Sequence, residues 1–202
     1  MFKKLAADAL GLSDVGVIVP PSEYAKVDAD DYLFHEDGEK IFFLIKSKKD
    51  EYCFTNLALI HVDGESAISS KRSIKRYEYA HHSIDRVTIE TAGTIDLDVE
   101  LKFSLDGAAF SIDVRKNFIE PLKDIYKALI TISRQQRQDE ISRDNVLPCL
   151  NAVSNMYKLG SVENDKAVAQ QFGTLLSHVN HAVLQRYVKR DFSDVFEKFI
   201  KS

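Results

Sequence analysis

Residues 96–114 read DLDVELKFSLDGAAFSIDV, two apolar alternations on either side of an Asp-Gly pair. Leu97, Val99, Leu101 and Phe103 alternate with Asp96, Asp98, Glu100 and Lys102, and Phe110, Ile112 and Val114 share one side of the second run. A period of two places apolar side chains on one face of a pleated strand. The glycine of Asp106-Gly107 accepts the positive φ of a tight turn, so the stretch reads as an antiparallel hairpin.

The same period continues upstream, at Lys40 to Lys46, Glu51 to Thr55 running on through Leu57 to Val62, Lys71 to Tyr79, and Ile84 to Thr91. That makes about seven strands, enough for a small closed or half-closed antiparallel barrel. Asp37-Gly38 and Asp63-Gly64 repeat the turn signal.

Beyond Asn117 the apolar residues recur every three or four positions instead. Asn117 is placed as an N-cap with Glu120 three residues on, Pro121 falls in the first turn, and Phe118, Leu122, Ile125 and Leu129 follow at helical spacing. One amphipathic helix therefore closes the sheet region. Ser133 to Asp139 is almost wholly polar, as either a solvated continuation of that helix or a linker. The boundary is placed there, giving a sheet part at 1–133 and a helical part at 134–202. In the latter, Val146, Leu150, Val153 and Tyr157 make one stripe ending at Gly160; Val168, Phe172, Leu175 and Val179 make a second; Phe192, Val195, Phe196 and Phe199 make a third. These predict a three-helix, hairpin-like extension.

Composition narrows the class. The chain has 202 residues, 45% hydrophobic and 29% charged, the balance of an ordinary globular protein. No apolar run is long enough to span a membrane and no secretory signal is evident, so the expected compartment is the cytoplasm. Cys53 and Cys149 lie far apart with no CxxC or Cys/His spacing. The net charge of −4, split as −6 up to Ile130 and +2 after it, lacks the basic excess that draws proteins to nucleic acid.

An antiparallel meander followed by one capping helix fits a pleckstrin-homology barrel, although strand order alone also admits other small barrels. Residues 1–132, especially MFKKLAADALGL, DADDYLFHEDGEKIFFLIKSKKDEYCFTNLALIHVDGES and ETAGTIDLDVELKF, closely resemble the bacterial pleckstrin-homology-like domain family. The remainder is similar to the C-terminal extension of its YvbH-type members. Phe54-Thr55-Asn56 followed by Leu59-Ile60 is similar to the strand signature of bacterial members, with Ala58 where an Arg commonly stands. The resemblance implies an α+β fold, a pleckstrin-homology-like antiparallel β-barrel of about seven strands capped by an α-helix and followed by an all-α extension. It also implies a tendency towards ring-like homo-oligomers, and it carries no catalytic residues.

Two basic groups are candidates for an anionic ligand. Lys46, Lys48 and Lys49 occupy the first hairpin, where related domains hold headgroup phosphates with clustered cations. Asp50 and Glu51 follow at once, so the preferred reading is a solvated turn. Lys71, Arg72, Lys75 and Arg76 lie on one strand, with Lys71 and Lys75 facing one way and Arg72 and Arg76 the other. A charged edge strand that discourages aggregation is the preferred reading there.

Phe2, Leu5, Ala9 and Leu12 share one side of a short N-terminal helix, read as packing on protein in preference to a membrane surface. His178 and His181 stand three apart on a helix, and His81-His82 ends a strand; neither pair sits in a metal motif. No GxSxG, Walker, GxGxxG or HExxH pattern occurs, so no catalytic residue, metal site or cofactor is assigned. Two functions remain, a self-associating interaction or scaffold module, and an anionic-ligand or phospholipid-headgroup domain at the membrane surface. No other protein partner is identified, and nucleic acid is not expected.

Overall fold

The computed structural model describes residues 13–64, 72–91, 98–159, 165–187 and 190–200. The N-terminal helix, Lys71, Asp96, Leu97 and Gly160 of the sequence reading lie outside the described residues. The described residues form eight strands: β1 Val17–Ile18, β2 Ile41–Lys46, β3 Glu51–Thr55, β4 Ala58–Gly64, β5 Arg72–Glu78, β6 Ile84–Thr91, β7 Asp98–Leu105 and β8 Ala108–Arg115. They form two antiparallel sheets, one of five strands in the order β1-β2-β3-β4-β5 and one of three in the order β6-β7-β8. Three helices follow, α1 Ile119–Leu159, α2 Asp165–Tyr187 and α3 Ser193–Phe199.

The Asp-Gly hairpin forms as read, with Leu105 opposite Ala108 and Asp98 opposite Arg115. Asp106 and Gly107 both take positive φ, 47° and 86°, which matches the turn to the right-handed twist of its strands. The barrel does not close; the two sheets face each other as a sandwich. At one corner Gly16 joins them, its N–H bonding to the Asp113 carbonyl at 2.7 Å and its carbonyl accepting from the Arg115 N–H at 3.0 Å. A Cβ at Gly16 would stand 2.7 Å from the Ile45 side chain and 3.0 Å from that carbonyl, so only glycine fits.

Elsewhere the structure departs from the simple alternation. The run from Glu51 to Val62 is two strands, because Thr55 turns the chain: its Oγ1 accepts from the N–H groups of Leu57 at 3.1 Å and Ala58 at 2.8 Å. Asp37-Gly38 ends a 3-10 turn at His35–Asp37 and joins no hairpin. With two others, at Pro21–Lys26 and Asp28–Tyr32, that turn belongs to a strap crossing the outer face of the five-stranded sheet. Val19, Val27 and Ala29 from this N-terminal segment cover Leu44, Cys53, Ile60 and Val62.

Two buried carboxylates bind the strap to the sheet. Glu51 accepts the N–H groups of Asp28 at 3.2 Å and Ala29 at 2.8 Å, and pairs with the Lys46 ammonium. Glu39 accepts the Phe34 N–H at 2.8 Å and the Thr55 hydroxyl at 2.6 Å, and the Arg76 guanidinium reaches both its oxygens at 3.0 and 3.1 Å. Arg76 also stacks over Phe34. Charges this deep persist only when paired and fully hydrogen-bonded.

The main core lies between the sheets, where Phe54, Leu59, Leu101, Phe103 and Phe110 meet Leu122, Ile125, Ala128, Leu129 and Ile132 of α1. Gln136 fastens that half of α1 to the turn before β6: its amide donates to the carbonyls of Tyr79 at 2.7 Å and His82 at 2.8 Å, and accepts from the Ile84 N–H at 2.9 Å. Past this point α1 continues unbroken through the polar stretch 133–139 and through Pro148. The polar stretch is thus the solvated continuation of the two readings. At 1.5 Å per residue, the part of α1 beyond Gln136 reaches about 35 Å.

The last helix does not join the other two in a bundle. Phe192, Val195 and Phe196 are buried in the inter-sheet core, where Phe196 stacks on Phe42 at 5.1 Å and Phe192 meets Tyr79 edge-on at 5.8 Å. The third stripe was correct as an apolar face, but its partner is the sheet.

Candidate self-association surface

The distal half of α1 and the length of α2 form a two-helix arm, rooted in the sandwich at both ends. One root is the buried half of α1. The other is the segment after α2, where Arg190 donates to the Gln135 side chain at 3.0 Å and its Nε lies 3.3 Å from Asp139. Next to it, the Phe192 N–H donates to the Asn56 carbonyl at 2.9 Å, and the Asn56 amide donates to Asp191 at 2.8 Å. Burial by itself would raise the Asp191 carboxyl, but hydrogen bonds from Ser193 and Asn56 and the charge of Lys40 outweigh it and hold the group below its usual range.

Within the arm, Val146, Leu150 and Val153 of α1 face Leu175 and Val179 of α2 around an apolar cavity of about 170 Å³. These side chains are only half-buried. Phe172 and Leu176, one turn apart on α2, are 43% and 39% exposed, and Ile141 on α1 is 55% exposed. Two helices alone leave such apolar arcs uncovered.

The charge pattern of α2 is equally marked. Between Lys166 and Arg186 there is no Asp, Glu, Lys or Arg. Yet 29% of the whole chain is charged, and an ordinary solvated helix carries its share. Charged residues are depleted at the centres of protein interfaces. The charge-free run is a signal in the sequence itself, whereas the stripe at Val168, Phe172, Leu175 and Val179 points to core packing alone.

The basic residues singled out above are mostly engaged within the fold. Lys46 and Arg76 are the partners of the buried Glu51 and Glu39. Lys75 meets Asp63 at 3.0 Å, Arg72 lies 3.9 Å from Asp28, and Lys49 lies 3.8 Å from Asp14. Lys48 is exposed. Alternation on β5 separates Lys75 from Arg72 and Arg76, so the strand presents no single basic face. Burial pushes the Cys53 thiol well up, away from the reactive thiolate, while Cys149 is exposed on the arm. His178 bonds to the Thr174 carbonyl at 2.7 Å. Among the described residues no three His, Cys, Asp or Glu side chains gather as a metal site, and no helix is long and apolar enough to cross a membrane.

The family model described as "Bacterial PH domain" matches residues 9–133. The chain belongs to the bacterial PH domain family. A second model, described as "YvbH-like oligomerisation region", matches residues 161–202 and so takes in all of α2 and α3. The chain is 52% identical to the Bacillus subtilis (strain 168) protein named "Uncharacterized protein YvbH", over the full length of both. It is 36% identical to "Uncharacterized protein YjqA" of the same organism, over 48% of this chain and 76% of that one. Among solved structures, a PH domain containing bacterial protein from Exiguobacterium sibiricum 255-15 is 45% identical, covers 93% of this chain and all of its own, and superposes with a TM-score of 0.79. The likeness to YvbH and to that structure therefore extends through the arm, whereas YjqA matches about half of the chain.

Proposed function

We propose that this protein is a non-catalytic PH-like interaction module of the cytoplasm, in which the sandwich, with α3 packed into its core, forms the presented body and the arm made by distal α1 and α2 within residues 134–202 holds copies of the chain together. The observation that carries the reading is the arm: a partly uncovered helix, free of Asp, Glu, Lys and Arg from Ala167 to Gln185, inside the segment matched by an oligomerisation region. Half-filled apolar seams gain free energy when a neighbour covers them, at roughly 25 cal/mol per Å² of apolar surface removed from water. A homo-oligomer, with a closed ring as one geometry, completes what the single chain leaves open.

The engagement of Lys46 and Arg76 with buried carboxylates supports structural roles for them in preference to a headgroup site. The test is the solution mass of the intact chain by light scattering after size exclusion, over a range of concentrations. A multimer is expected. A monomer at every concentration would overturn the reading.

A further inference from the structure

We infer that the uncovered face of α2, centred on Phe172, Gly173 and Leu176, packs against the same face of α2 in a second copy of this chain. This rests on the self-association reading and names the contact that carries it.

The apolar arc of α2 is wider than α1 covers. Val168, Leu175 and Val179 are half-buried, whereas Phe172 and Leu176 face outward as an i, i+4 pair. Between them stands Gly173, in the interior of a helix of 23 residues. Glycine there costs about 1 kcal/mol relative to alanine. Among the described residues nothing calls for it, since a Cβ at Gly173 would meet none of them within 4 Å. Ala169 and Ser177, one turn to either side, are also small and exposed. A backbone bare along this line admits a second helix at close range, with Phe172 and Leu176 as the flanking ridge.

The charge pattern selects the occupant. In a two-fold interface a residue near the axis meets its own copy, so any charge there faces a like charge. The run from Ala167 to Gln185 has none, and Gln170, Ser177 and Asn180 are neutral groups that can both donate and accept across such an axis. A basic or acidic partner would find no complement on this surface. The match of the oligomerisation region to residues 161–202 makes the face continuous with a segment associated with self-assembly.

The experiment compares full-length wild type with three variants by light scattering over a concentration series, with circular dichroism to report folding. The F172E/L176E double variant and Gly173→Leu are expected to raise the concentration at half-assembly at least tenfold, while Ile141→Glu on α1 leaves it unchanged. Because Phe172, Gly173 and Leu176 are exposed, the variants should keep the wild-type spectrum. In a Cys149→Ser background, Ser177→Cys is expected to form a disulfide-linked dimer under mild oxidation. If wild type is multimeric and both α2 variants match its mass, the inference is overturned and the self-association reading stands. A loss of mass from Ile141→Glu alone would move the contact to α1. Loss of assembly in the α2 variants without a Ser177→Cys dimer would make the contact head-to-tail and overturn the two-fold pairing. A monomeric wild type would remove both.

Discussion

Asn56 and Asp191 meet side chain to side chain at 2.8 Å, across a separation of 135 residues. The first lies in the turn between β3 and β4 and the second in the segment leading to α3, so this bond closes the arm back onto the body. The Asn56 side chain also accepts the Lys40 N–H at 2.9 Å, which makes one residue a tie between strap, sheet and tail. Asn56→Ala removes these two bonds and a third, from the Asn56 amide to the Gly38 carbonyl at 3.3 Å, all of them part-buried. The expected loss is about 1–3 kcal/mol. For a chain of this size that corresponds to a fall in Tm of roughly 2–4 °C per kcal/mol, readable by calorimetry. An unchanged Tm would mean that the tail is held by its phenylalanines alone.

The acid response of this tie has a definite sign. The Asp191 carboxyl is held below its ordinary value in the folded chain, so the folded state binds fewer protons than the unfolded state as the pH falls. Its contribution is complete above the ordinary carboxylate pKa of about 4 and disappears as the pH drops through the lower folded value. Stability of wild type relative to Asp191→Asn should therefore be constant from about pH 5 to 8 and converge only in more acid solution. Urea titrations at several pH values measure this, and a difference that changes with pH between about 5 and 8 would contradict it.

Phe192 and Phe196 fill the space beside Phe42 and Tyr79, so α3 contributes to the body's own core. Phe196→Ala is expected to cost about 3–5 kcal/mol, the usual penalty for emptying a buried aromatic site. A chain ending near Ile132 should be destabilised at least as much, because it loses both rings. Chemical denaturation of each against wild type supplies the comparison.

The Lys46–Glu51 pair calls for a double-mutant cycle. Lys46→Met alone strands the Glu51 carboxylate among buried atoms and should cost about 3–5 kcal/mol. Adding Glu51→Gln removes the buried charge and keeps one of the two oxygens that accept the Asp28 and Ala29 N–H groups, so the double variant is expected to recover part of the loss. Additive losses would show that the two charges do not depend on each other.

Much of this architecture could be read from residue types in order. The β7–β8 hairpin was legible because one of its faces is buried and Asp106-Gly107 fits only a tight turn. The start of α1 was legible because Leu122, Ile125 and Leu129 pack on the sheets. The strap at 21–37 carries neither period, since its 3-10 turns are fixed by tertiary bonds to Glu39 and Glu51. β1 is two residues long and falls below any pattern. The polar stretch 133–139 carries little amphipathic signal because the helix leaves the body there and meets water on most sides. For the arm, the apolar stripes gave the helices, but which flank α1 covers depends on packing that periodicity does not encode. The charge-free run was legible and needed only to be weighed against the exposure of Phe172 and Leu176.

The double rooting of the arm has a geometric outcome. A prong attached by one flexible stem would let neighbouring bodies swing, but α1 enters the sandwich as an uninterrupted rod and the return strand is clamped at Asn56, Gln135 and Asp139. Under the self-association proposed above, the length of α1 sets how far apart the joined bodies stand.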